Sequence, residues 1–331
     1  MAGAGRGRRR RAVAGHPGVR RRALRRGVLR GDLGAGVSVI AVVGPTAAGK
    51  SALSIALAHA LGGEVVNADS MQLYRGMDIG TAKLTPAERE DVPHHVLDIW
   101  AVTEPASVAA YQRLARAAVD GIRARGRVPI VVGGSGLYVR AVLEEFEFPG
   151  TDAAVRARLE DDLSANGPAS LYERLRAADP AAATKILPSN GRRIVRALEV
   201  IELTGAPFTA SLPDPKPYYD AIQIGVDRPD VAVRVETRVD QMFADGLVEE
   251  TAALAEQGLR DGRTASRALG YQQVLAYLDG AATRDEARDE TVRATRRFVR
   301  RQRTWFRRDP RIGWLDATRP DLVAAALALA G

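Results

Sequence analysis

GPTAAGKS, residues 44–51, is the stretch that sets the fold of this chain. It fits G-x-x-x-x-G-K-[ST], in which the glycines let successive backbone N–H groups turn inward around a chain of phosphates. The run before it, VSVIAVV (Val37 to Val43), is continuously apolar and β-branched and reads as a parallel strand buried on both faces. The run after it, SALSIALAHAL (Ser51 to Leu61), reads as a helix whose N-terminus adds partial positive charge at the same point. Gly44, Pro45, Thr46, Ala47, Ala48, Gly49, Lys50 and Ser51 are therefore the expected phosphate cradle. Lys50 is expected to reach the terminal phosphate and the Ser51 hydroxyl to bind Mg²⁺.

Outward from this loop, strands and helices alternate. GGEVVNAD (Gly62 to Asp69) is a short strand ending in an acid, and VPHHVLDIW (Val92 to Trp100) is another strand. Ser107 to about Arg125 is an amphipathic helix with Val108, Tyr111, Leu114, Ala118 and Ile122 at helical spacing. RVPIVVGGSGLYV (Arg127 to Val139) is again strand, glycine turn and helix. Such alternation predicts an α/β fold with a parallel sheet, a P-loop NTPase-like core. Ligands of such sheets bind at the carboxyl ends of the strands, where Gly44–Ser51, Asp69 and Gly133–Ser135 converge.

The alternation stops at FPGTD (Phe148 to Asp152), and helical stretches follow near 152–165, 168–178 and 189–204, with a Pro-rich exit at 213–220. AIQIGVD (Ala221 to Asp227) resumes as a strand, followed by helices near 231–257, 266–278 and 284–308. The predicted organisation is a disordered basic arm over 1–36, a catalytic core over 37–149 and 218–315 with helices in its C-terminal part, and a small inserted helical domain over 150–217. A terminal helix or tail occupies 316–331.

Charge is unevenly spread. Residues 1–36 hold eleven Arg and one Asp, a balance of +10, which leaves the other 295 residues at −2 against the whole chain's +8. The arm's Gly/Arg/Ala composition gives it nothing to bury. It reads as a nonspecific nucleic-acid binder, a tail without specific role, a misassigned start or a transit-like segment. A second basic stretch, TVRATRRFVRRQRTWFRRD (Thr291 to Asp309), places Val292, Phe298, Val299, Trp305 and Phe306 along one side and eight arginines over much of the rest. With almost no acid inside that stretch, a folded RNA is the expected partner. The chain lacks cysteine, which excludes disulfides, thiolate metal sites and cysteine nucleophiles. Only His94 and His95 of the four histidines are adjacent, and neighbours on a strand face opposite ways, which argues against a histidine metal site. No apolar run has the length of a membrane span, so the expected location is cytoplasmic.

NADSMQLYRGMDIGTAK (67–83) makes the reading specific. It resembles the signature of the bacterial tRNA dimethylallyltransferases, which isopentenylate the adenosine next to the anticodon. The resemblance continues through the PHHVLDI stretch near 93–99, VVGGSGLY (131–138), GRRIVRALEVIELTG (191–205), SRALGYQQV (266–274) and RRQRTWFRRD (300–309), covering roughly 37–315. It implies dimethylallyl diphosphate as donor, tRNA (its anticodon stem-loop) as acceptor, Mg²⁺ as cofactor, and a monomer with no membrane partner. It further implies Asp69 as general base, with Lys50 and Arg267 on the diphosphate. Asp69, Ser70, Met71 and Gln72 would contact the acceptor region, with Ser135, Arg156, Arg192, Arg193, Ile194, Val195 and Arg196 as further tRNA-binding positions. Ser135 stands where Thr is often found, and the hydroxyl survives. The zinc-finger tail of the eukaryotic relatives is missing, in keeping with the absence of cysteine.

Overall fold

β1 (Val39–Val43) lies inside a sheet of six strands, all parallel, in the order β3-β2-β4-β1-β5-β6. The computed structural model describes residues 38–145, 148–208 and 214–331, all within one compact unit spanning Val37–Gly331. The basic arm 1–36 and the Pro213 start of the Pro-rich exit lie outside the described residues. The other strands are β2 (Glu64–Asn67), β3 (His94–His95), β4 (Pro129–Gly133), β5 (Ala221–Asp227) and β6 (Ile312–Asp316).

Successive β1 side chains point to opposite faces, and both faces are covered. Ile40 and Val42 pack with α1 (Lys50–Leu61) and α11 (Leu322–Ala330) through Leu53, Leu57 and Ala326. Val39, Ala41 and Val43 pack with α2 (Val108–Ala124) and α3 (Gly136–Leu143) through Tyr111, Val119, Val139 and Val142. The buried stripe of α2 is Tyr111, Ala115, Val119 and Ile122, so Leu114 falls on its exposed side, 46% accessible.

Between α3 and β5, α4 (Ala153–Ala178), α5 (Pro180–Ala183) and α6 (Gly191–Thr204) bury a cluster of their own that includes Leu159, Leu171, Leu175, Ile194 and Leu198. Asp152 caps α4 by accepting from Ala154 and Val155 N–H, and Asn190 caps α6 by accepting from Arg193 N–H. Gly167, at φ 73° and ψ 172°, breaks α4 just before Pro168, the boundary the two expected segments 152–165 and 168–178 imply.

Four elements differ from expectation. The 231–257 helix is two, α7 (Val231–Ala244) and α8 (Leu247–Glu256), separated at Gly246 with φ 106°. The 266–278 helix begins only at α9 (Tyr271–Leu278), because Ala265–Arg267 is a 3₁₀ turn and Ala268 is extended. After α10 (Arg284–Phe306), β6 adds an edge strand along β5 that the sequence reading does not place, at the end of the expected core and before the terminal helix α11. The 92–100 strand shrinks to His94–His95, since Val96 and Asp98 take positive φ and turn the chain away.

Candidate active site

The phosphate loop is shaped by backbone. Gly44, at φ 136°, presses on β5 so closely that a Cβ there would lie 2.1 Å from the Val226 carbonyl oxygen. Gly49, left-handed at φ 104°, precedes α1 and supplies no side-chain cap. The amides of the first turn of α1 therefore point their donors and the positive end of the helix dipole outward, the arrangement an anion requires. Lys50 folds back so that Nζ donates to the Pro45 carbonyl at 2.7 Å. Burial brings the Lys50 ammonium down to about 8, with Asp69 pulling it up and Arg238 pushing it further down. Ser51 is half-buried at the start of α1.

Two side chains from far along the sequence hold this loop. Gln302 on α10, only 4% exposed, accepts from Thr46 N–H at 2.9 Å and donates to the Gly134 carbonyl at 3.0 Å. It staples the phosphate loop to the glycine loop after β4. Arg234 on α7 donates through Nε to the Ala47 carbonyl at 3.1 Å, while Val231, Val235 and Val299 pack on the Ala47 methyl. Sequence reasoning missed both; the one signal for Gln302 was a neutral side chain in an arginine run, at helical spacing from Val299 and Phe306.

Asp69 stands two residues past β2. Asn67 fixes it, accepting from Asp69 N–H at 2.9 Å and donating to the Asp69 carbonyl at 3.1 Å. Asp69 Oδ1 accepts from Met71 N–H at 2.9 Å, and Oδ2 makes no hydrogen bond among the described residues. Beneath it Tyr111 donates to the Asn67 carbonyl at 2.9 Å, and the Tyr111 and Tyr138 rings lie 4.7 Å apart. Burial, with the Asp69 charge adding to it, raises both phenols, so they remain protonated. Ser70 N–H donates to Ser135 Oγ at 3.3 Å. Ser51, Asn67, Gln72 and His94 line one small cavity. The structure thus brings Lys50, Ser51, Asp69, Ser70, Gln72 and Ser135 to one edge of the sheet.

The 71–83 loop is anchored by opposite charges. The buried Lys83 ammonium pairs with Asp78 and Asp98 and donates to the Tyr74 carbonyl. Glu250 on α8 accepts from the Ile79, Asp78 and Gly80 N–H groups at 2.8, 3.2 and 3.2 Å, and from the Tyr271 hydroxyl. Met71 packs on the cluster of Tyr74, Met77, Ala265, Ala268 and Tyr271. Arg267 extends from this cluster into solvent, with no ion pair and no hydrogen bond to Lys50 or Asp69 among the described residues.

The arginines sort by partner. Arg156 and Arg196 both grip Glu199, whose side chain is wholly buried. Burial pushes the Glu199 carboxyl up, and the two guanidinium hydrogen bonds more than offset it, leaving it below the usual range. Arg192 and Arg193 are exposed on the first turn of α6. Ile194 and Val195, expected at the tRNA, are instead 0% and 1% exposed inside the helical cluster, because the stripe that faces α4 runs through them.

On α10 the expected free stripe of eight arginines is largely neutralised. Arg293 and Arg297 pair with Glu290, Arg296 with Glu236 of α7, and Arg303 and Arg307 with Asp227 at the end of β5. Arg300, Arg301 and Arg308 have no acidic partner among the described residues, and Arg301 lies 5.6 Å over the Phe298 ring. With Arg297, Thr304 and Trp305 they line an open cleft. Trp305, expected on the apolar side, is 39% exposed on the cleft side. Its indole approaches Gly136 so closely that a Cβ there would lie 2.0 Å from Nε1, which puts the cleft directly beside Ser135.

Similarity to known proteins agrees with this geometry. The tRNA dimethylallyltransferase of Salinispora arenicola is 76% identical over 292 residues, 88% of this chain and 85% of that protein. That of Streptomyces coelicolor is 67% identical, covering 88% of this chain and 95% of that protein. Among solved structures, the tRNA isopentenylpyrophosphate transferase of Bacillus halodurans shares 42% identity at a TM-score of 0.66, covering 89% of this chain and 94% of that one. A eukaryotic dimethylallyltransferase solved acting on tRNA shares 29% identity at a TM-score of 0.75, covering 88% and 77%. A profile of the family described as IPP transferase matches residues 72–309, from Gln72 to just past the end of α10, and the chain belongs to that family.

Proposed function

We propose that this chain transfers a dimethylallyl group from dimethylallyl diphosphate to the exocyclic amine of the tRNA adenosine beside the anticodon, position 37, in the cytoplasm. The observation that carries the reading is an aspartate with one oxygen uncommitted, set at the same sheet edge as a phosphate loop. A phosphate loop suits an isoprenoid diphosphate as well as a nucleotide, because its amides and Lys50 recognise phosphates rather than what they carry.

In this reading the adenine amine attacks the first carbon of the dimethylallyl group. The bond from that carbon to the diphosphate oxygen breaks, and its electron pair leaves with the diphosphate. The amine is a poor nucleophile, its lone pair being delocalised into the ring, so its proton passes to Asp69 Oδ2 as the new bond forms. Charge gathering on the diphosphate meets the α1 amides and Lys50, and Arg267, exposed at the edge of the loop cluster, would have to turn inward to join them. Ser51 is the hydroxyl that would hold Mg²⁺. The described residues contain no group of three acids or histidines able to hold an ion, so the cation fits here only with the diphosphate oxygens as further ligands. Bound there, it would supply neutralisation of the leaving group.

The acceptor base must leave its stack to reach this edge. Phosphates of the flanking strand would meet Arg300, Arg301 and Arg308, and the helices of 150–217 would clamp the stem-loop, with Arg192 and Arg193 on their exposed edge. No described helix is long and apolar enough to cross a membrane.

Labelled donor incubated with undermodified tRNA, with AMP and with neither, all without ATP, tests the substrate class. Label should enter tRNA alone. Asp69→Asn should lower turnover by roughly two to four orders of magnitude, the usual worth of a positioned base, with tRNA affinity little changed. A near-parental single-turnover rate in the Asn variant would remove Asp69 from the base role.

A further inference from the structure

α3 begins beside the Asp69 loop. Ser135, the residue before it, accepts from Ser70 N–H, and Tyr138 stands in its first turn, donating its own N–H to the Ser135 carbonyl at 2.9 Å. Helical side chains lean toward the N-terminus, so the Tyr138 ring leans toward the sheet edge that carries Asp69. Burial first, then the nearby Tyr74 and Asp69, keep its phenol protonated.

The two phenols beneath Asp69 are committed differently. Tyr111 is wholly buried and donates to the Asn67 carbonyl at 2.9 Å. Tyr138 is 8% exposed and shares a core cluster with Tyr111 and Leu73, yet its hydroxyl makes no hydrogen bond among the described residues. Nor is that hydroxyl enclosed. Among the described residues Arg296 Nε is the one enclosed side-chain nitrogen or oxygen without a partner, so the Tyr138 oxygen reaches open space. Phenylalanine fills a core as well as tyrosine does. A buried ring with a free O–H, beside a carboxylate with a free oxygen, is a pair of groups for binding something polar.

Together they offer one acceptor and one donor. The Watson–Crick edge of adenine is the complement, an amine donor at N6 beside a lone pair at N1. Guanine reverses both, with a carbonyl oxygen facing the carboxylate and an N–H facing the hydroxyl. We infer that Tyr138 is a specificity-determining residue for the acceptor base, its hydroxyl donating to adenine N1 while Asp69 accepts from the N6 amine. The inference rests on the proposed function, in which Asp69 faces that amine. Tyr138 takes no part in the proton transfer: the amine proton goes to Asp69, and the phenol keeps its own.

Anticodon stem-loops with adenosine, 1-deazaadenosine or 7-deazaadenosine at the acceptor position test the contact, read as single-turnover kcat/KM with labelled donor. The first analogue replaces N1 by C–H and keeps the amine; the second removes N7 instead. On adenosine, Tyr138→Phe should be slower than the parent by roughly 3- to 10-fold, the worth of one neutral hydrogen bond. On 1-deazaadenosine the two proteins should be equal, because the contact is already gone, and on 7-deazaadenosine the gap should remain. A merely structural role would slow the variant by the same factor on all three. That result overturns the inference, as does a variant equal to the parent on adenosine, or a gap that closes on 7-deazaadenosine rather than on 1-deazaadenosine. Should Tyr138→Phe not fold, Tyr138→Met enters the same comparison. If the parent leaves the adenosine stem-loop unmodified, the proposed function falls and this inference with it.

Discussion

Around Glu199 two arginines enclose one buried carboxylate; around Trp305 four arginines line a cleft, and three of them have no carboxylate partner among the described residues. The sequence gives no sign of the difference, since Arg196 stands in RRIVR and the cleft arginines in RRQRTWFRR. Their partners make them opposites. The first commits its charge inside the protein, organising α4 against α6, and the second leaves it outward beside Ser135. Counting arginines therefore overstates the charge available to a polyanion, and the acids opposite each one decide what remains.

The strongest way to break this contrast is at Glu199. Glu199→Ala strands two guanidinium groups at a site built for an ion pair, and should cost about 3 kcal/mol of stability, toward the lower end for a buried pair because both arginines keep some solvent. Denaturant unfolding measures it. The sign with pH follows from the lowered carboxyl. The stabilisation is present above the ordinary glutamate range, about 4.3, and is lost as pH falls through the lower folded value, so Glu199→Gln should lack that acid limb. If Glu199→Ala leaves stability intact but abolishes tRNA binding, the pair is an RNA site and the contrast fails.

Next in size is the α10 cleft. Replacing Arg300, Arg301 and Arg308 together by Gln should leave the unfolding midpoint in place and weaken tRNA binding about 10- to 100-fold near physiological salt. The plot of log affinity against log salt should flatten by about two to three units, one for each phosphate no longer neutralised. An unchanged slope would mean that these arginines do not meet phosphate.

The smallest effect sharpens the comparison from within α10. Arg293 pairs with Glu290 on an exposed face, so Arg293→Ala should change stability by less than about 0.5 kcal/mol and tRNA affinity by less than twofold. An effect as large as that of the cleft arginines would show that the acid does not decide.

The catalytic end was legible because backbone rules govern it. A strand buried on both faces must be continuously apolar, and a phosphate turn must have glycine where Gly44 and Gly49 stand, so VSVIAVVGPTAAGKS states its own structure. The Gly167-Pro168 break and the helical stretches around it were equally readable. β6 was not, since Ile312–Asp316 is short, follows Pro310 and carries Gly313, and gains its strand character only from the free edge of β5. The pairings with Glu290 are local to α10, but the remaining arginine pairings were illegible for a related reason. Glu236 and Asp227 lie 60 and 76 residues from the arginines they neutralise, and nothing local in α10 announces them. Gln302 and Glu250 belong to the same class, polar groups whose partners are backbone atoms of distant loops.

Gly136 has an ordinary helical backbone, and no turn requires glycine there. What it provides is clearance for the Trp305 indole. The two positions therefore form one unit of heritable change: a side chain at 136 is admissible only in a protein that has already given up bulk at 305, and a smaller residue at 305 removes the reason for glycine. The freedom of this site to drift is set by the order in which substitutions arrive, and a survey that alters one residue at a time will see an invariant glycine where there is a negotiable pair.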